Sequence, residues 1–89
     1  QHEQAREYYD RALKIATEFS LKNFTCEFLF EKAELLFEAG HVAEAAPIND
    51  EAIQISEAVG RKDFLFKARL LRERIIALGP EGNPGSPSE

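Results

Sequence analysis

The sequence predicts an all-α fold of antiparallel helical hairpins, four helices in all, and three observations carry that reading. Apolar residues recur at three- and four-residue steps through four successive segments, which is the period of a helix face. Gly40 and Gly60 follow two of those segments, where a residue free to take the left-handed conformation closes a helix. The connections are a few residues long, which forces consecutive helices to run antiparallel. With 89 residues, 44% of them hydrophobic, the chain has material for one small domain with a core.

Taken in order, the first helix is expected over about 2–19, with a stripe of His2, Ala5, Tyr9, Ala12, Ala16 and Phe19. A break follows at 20–23. The second helix, about 24–39, places Phe28, Leu29, Ala33, Leu36 and Phe37 on one side and is capped by Ala39-Gly40. The third, about 42–59, has a narrower stripe of Val42, Ala45, Asn49, Ala52, Ser56 and Val59, whose small residues allow close approach of another helix. Pro47 lies inside it and is expected to curve the axis without breaking it. Asn49 on that stripe is expected either to have its polar contact satisfied across the hairpin or to fix the register of the helices. Asp63 is the expected N-cap of a fourth helix, about 62–78, with Phe66, Leu70, Leu71, Ile75 and Ile76 on its apolar side. The helical domain therefore spans 1–79, and the Pro/Gly/Ser-rich 80–89 is expected to be a disordered tail.

Composition excludes several classes of function. The net charge of −5 offers no basic face for nucleic acid. No apolar run approaches the roughly 20 residues of a spanning helix. The first residues lack a secretory layout and methionine is absent, so the chain reads as a fragment or a processed form. Cys26, the single cysteine, can form no internal disulfide and is expected to be a buried, inert thiol in a cytoplasmic protein. His2 and His41 lack the paired ligands of a metal site, and no metal or cofactor is expected. Glu27, Glu31, Glu34 and Glu38 follow helical steps and read as a solvated acidic face, since an acid/base pair would need a nucleophile or cofactor loop beside it. With no phosphate loop or nucleophile motif either, the chain is not expected to be an enzyme.

An internal repeat links the first and third helices at an offset of about 40 residues, within the range of helical repeat architectures. Ala5 falls on Ala45, Ala12 on Ala52, Leu13 on Ile53, Ile15 on Ile55, Ala16 on Ser56 and Phe19 on Val59. The loop repeats too, with Lys22-Asn23-Phe24 falling on Lys62-Asp63-Phe64. Two unrelated amphipathic helices would share a stripe but not the loop.

Leu29, Ala33, Leu36, Gly40, Val42, Ala45 and Ala52 resemble the large, small, large, glycine, large, small, small signature of the tetratricopeptide repeat. The connecting EFSLKNF and EAVGRKDF resemble its longer variety, found in bacterial signalling and regulatory proteins. The resemblance implies a short right-handed solenoid. It also implies a scaffold whose first helices line a groove for a peptide or helix of a partner protein. Carried over position by position, the groove residues would be Glu27, Phe30, Glu34, Phe37 and Glu38, then Phe66, Arg69 and Glu73. Phenylalanine and glutamate there, in place of the basic residues that clamp carboxylate tails, point to a basic amphipathic ligand. The alternative function is self-association, a homodimer that covers apolar surface left on the first or fourth helix.

Overall fold

Four α-helices follow one another in the computed structural model, which describes residues 2–79; the expected tail at 80–89 and the side chain of His2 lie outside the described residues. They are α1 (His2–Glu18), α2 (Lys22–Glu38), α3 (Val42–Val59) and α4 (Lys62–Leu78), and no strand occurs among the described residues. α2 starts two residues earlier than its apolar pattern suggests. α3 runs unbroken through Pro47. That proline lies in the second turn, where its missing N–H frees only the carbonyl of Ala43.

The three inter-helix turns share one design. Ser20, Gly40 and Gly60 each take a positive φ, of 55°, 90° and 77°. The residue after each donates its N–H back over the helix end: Leu21 to Ala16 O at 2.8 Å, His41 to Leu36 O at 2.8 Å and Arg61 to Ser56 O at 2.9 Å. This is the six-to-one closure of a left-handed helix end, which satisfies a carbonyl that the last turn leaves open. Leu21, His41 and Arg61 then start the next helix with similar backbone angles and no side-chain capping bond. Asp63 is thus not the N-cap: the turn geometry places Arg61 there. Asp63 falls in the first turn, accepting from Arg61 Nε at 3.1 Å and Nη2 at 3.0 Å. That bond holds its carboxyl down at about 2.

Packing follows the small residues. α2 lies against α1, α3 and α4, and its pairing with α3 is the most extensive. Ala33, Leu36 and Cys26 of α2, Ala45, Ala52, Asn49 and Ser56 of α3, and Ala68 of α4 are all completely buried. The close approach expected from the third helix's small residues is therefore present, and Cys26 is buried as expected, its Sγ 3.2 Å from Asn23 O.

Two stripes differ from expectation. Phe19 is 68% exposed, because α1 ends at Glu18 and the left-handed Ser20 turns the chain away from the core. On α4 the expected Phe66, Leu70 and Ile76 are exposed, and the buried face is Phe64, Ala68, Leu71 and Ile75. Both sets follow helical spacing. The neighbour decides between them: Asn49 Nδ2 of α3 donates to the carbonyl of Ala68 at 2.7 Å, an approach that a small side chain permits.

The repeat seen in the sequence is also spatial. Tyr9 of α1 meets Phe28 of α2 with ring centroids 6.5 Å apart, and their counterparts Asn49 and Ala68 meet at the α3–α4 contact. The pairing of α1 with α2 is repeated by that of α3 with α4.

The turn geometry gives a direct test. A Cβ at Gly40 would meet no atom within 4 Å, so Gly40→Ala is penalised only by the left-handed backbone, about 1–2 kcal/mol. Ser20→Gly relieves the same strain and should raise stability by up to about 1 kcal/mol. Urea denaturation of both variants measures the two opposite shifts.

Candidate partner-binding cleft between the second and fourth helices

Successive units bring α2 and α4 side by side, and an open cleft of about 560 Å³ runs between them. Phe30, Leu70, Leu71 and Ala77 give it an apolar floor, with Glu34, Lys67, Glu73 and Arg74 around the rim. The floor is firm because Phe30 is 7% exposed and meets Phe64 edge-on, ring centroids 5.9 Å apart.

The walls differ in charge. α2 carries Glu27, Glu31, Glu34 and Glu38 against Lys22 at its start and Lys32, whereas 61–74 holds six basic residues against Asp63 and Glu73. Part of this contrast is satisfied internally. Arg61 reaches Glu27 at 3.8 Å while bonded to Asp63, and Arg69 pairs with Glu57 of α3 at 3.1 Å. Lys32 turns to α1 and pairs with Asp10 at 2.6 Å. Lys67 and Arg74 are held differently: Lys67 Nζ stands 4.8 Å from the Phe64 ring centroid and the Arg74 guanidinium 4.7 Å from that of Phe37. Rings fix the position of a cation without neutralising its charge.

Glu31 marks the most crowded part of the acidic wall. Burial, then Glu27 and Glu34, push its carboxyl above the usual range, against a smaller opposing pull from Lys67. Tyr9, hydrogen-bonded to Glu31, is raised in turn, first by burial and then by that carboxylate.

The structure distributes the sequence-predicted groove residues unevenly. Phe30, Glu34 and Glu73 share the cleft. Phe37 lies beside it under Arg74, Glu27 is engaged by Arg61, and Glu38 is exposed near the end of α2. Phe66 is 64% exposed and Arg69 points toward α3, so neither lines the cleft. Lys67, Leu70, Leu71, Arg74 and Ala77 were missed. The repeat itself held the signal: advancing Glu27, Phe30, Glu34 and Phe37 by about 40 residues gives Lys67, Leu70, Arg74 and Ala77. Phe66, Arg69 and Glu73 instead match Cys26, Leu29 and Ala33, the buried side of α2.

Among the described residues no group of three or more His, Cys, Asp or Glu is placed to hold a metal, and no helix is long and apolar enough to cross a membrane. Comparison with protein-family models, with curated proteins and with solved structures returns no match to this chain.

Glu31 supplies the pH test. Its folded-state proton is held above the ordinary 4.5, so the charged form opposes folding. That penalty is full above the raised folded value and disappears as the pH falls through 4.5, where folded and unfolded chains are both protonated. Glu31→Gln should therefore raise the melting temperature at neutral pH, and the gain should vanish in acid; paired melts across that range measure it.

Proposed function

We propose that the chain is a protein-interaction module of the tetratricopeptide-repeat kind, whose α2–α4 cleft receives an amphipathic helix of a partner protein. One observation carries the reading: an apolar floor of Phe30, Leu70, Leu71 and Ala77 lies between an acidic α2 and a basic α4. Apolar burial supplies affinity and the charged rims supply orientation. The ligand would lay its apolar side on the floor, its basic flank toward Glu34 and its acidic flank toward Lys67 and Arg74. This adds an acidic flank to the basic amphipathic ligand expected from the sequence, because the α4 wall carries the opposite sign.

The spatial repeat and the three like turns support the family assignment. In that reading α2 and α3 form one complete repeat, α1 is the second helix of the repeat before it and α4 the first helix of the next, and the right-handed solenoid follows from that order.

The test is a fluorescence-anisotropy titration with three helical peptides of equal hydrophobicity, flanked by basic residues on one side, by acidic residues on one side, or by one sign on each side. The doubly flanked peptide should bind tightest. Leu70→Asp should weaken it at least tenfold and Arg74→Glu should reverse the preference for the acidic flank, while Phe66→Ala leaves binding unchanged. Equal binding of all three peptides, or full binding by Leu70→Asp, would overturn the assignment.

A further inference from the structure

A second opening lies on the other side of α2. Tyr8, Arg11 and Ile15 of α1, with Leu21, Phe24 and Phe28, line a slot of about 440 Å³ that is almost wholly apolar. We propose that this slot is the contact surface of a symmetric dimer, in which α1 of a second copy lies antiparallel across α1.

The repeat shows that the slot accepts a helix. Advanced by about 40 residues, Tyr8, Ile15 and Phe24 become Ile48, Ile55 and Phe64. Ile48 and Ile55 pack against the core, and Phe64 is buried against Phe30 of α2. In the second unit, then, α2 occupies the place that is open in the first. Among the described residues, Tyr8 is 61%, Ile15 54%, Phe19 68%, Leu21 42% and Phe24 50% exposed. Together they present on the order of 500 Å² of apolar surface, approaching the roughly 800 Å² that each partner contributes to a standard interface.

The occupant follows from what the molecule can offer. α4 is the counterpart of α2, so a head-to-tail stack would insert α4 of a second copy. Its outward face fails that role, because Arg69 and Glu73 stand where α2 carries the buried Leu29 and Ala33. Burying those two charges against an apolar slot is costly. The α1 face, in contrast, is self-complementary. Tyr8 and Ile15 lie two turns apart on one line of the helix, and the exposed Glu7 and Lys14 keep the same spacing along its flank. Two α1 helices related by a dyad between Arg11 and Ala12 put Tyr8 opposite Ile15 and leave Glu7 offset from Lys14 of the second copy by two residues, about 3 Å along the axis, a span that the two long side chains bridge, each pairing made twice. Arg11 then faces Ala12 of the second copy, a residue small enough for the Arg11 stem to lie over it while the guanidinium, exposed on α1, stays in water at the edge of the contact.

Size-exclusion chromatography with light scattering tests this across a dilution series, with circular dichroism as the control for folding. The wild-type chain should run as a dimer that dissociates on dilution, and Ile15→Lys should be monomeric with its helical signal intact. Glu7→Lys should weaken the dimer about tenfold through two exposed ion pairs, and adding Lys14→Glu should restore it. Ile76→Lys, on the outward face of α4, should leave it unchanged. If Ile15→Lys loses its helical signal, the exposed charge variants decide the matter. A monomer at every concentration, a dimer unaffected by Ile15→Lys, a dimer lost in Ile76→Lys, or a charge swap that fails to restore association would overturn the proposal.

Discussion

Close approach of helix backbones across small residues is the constraint on which this structure depends. Ala33, Ala45, Ala52, Ser56 and Ala68 have no exposed surface, and any larger side chain there would hold two helices apart. The aromatic and long aliphatic residues are displaced to the flanks of each contact as a result. Some of them complete the core, as Phe30 and Phe64 do against each other. Others, such as Leu70 and Phe24, line the two openings on either side of α2. The seam that brings the helices together thus also creates the surfaces available to a partner.

Asn49 is the polar exception within that seam. Its Nδ2 donates to Ala68 O, while its Oδ1 and the Oγ of Ser56 have no hydrogen-bond partner among the described residues. An unmet buried acceptor costs about 1–3 kcal/mol, so the residue does not maximise stability. It confers directionality: only one axial placement of α4 brings the Ala68 carbonyl to the amide. Tyr9, in the same position of the first unit, makes a ring contact with Phe28 and is hydrogen-bonded to the side chain of Glu31, so no backbone carbonyl of α2 is engaged there by its side chain.

The elements were legible in the sequence because each carried a local signal. Gly40 and Gly60 marked two turns, and helical periodicity marked the segments between them. Ser20 was legible only as a break, since nothing in its side chain announces a left-handed backbone. α4 misled because it bears two apolar faces, and only the position of α3 determines which is covered. The candidate site suffered from the same ambiguity. Phe30 and Glu34 were found on α2, whose faces are distinguished by Ala33 and Leu36, while on α4 the choice fell on Phe66 and Arg69 and missed Leu70 and Arg74. Periodicity states that a face exists; a repeat register states which face it is.

The pairing of α2 with α3 has a kinetic meaning. The two helices are joined by the short Gly40 turn and share the most extensive contact in the molecule, so the hairpin closes a small loop at little entropic cost before more distant contacts can form. α1 and α4 then each add onto a surface already in place. The same order run backwards describes native fluctuations. With the smaller contacts, the outer helices are expected to detach first and the hairpin last, so amide protons at the α2–α3 seam should be the slowest to exchange and those of α1 and α4 should exchange earlier. Both openings are built between a member of the hairpin and an outer helix. Each pairs one slow wall with one fast wall, and anything seated there draws the outer helix into the slow part of the molecule.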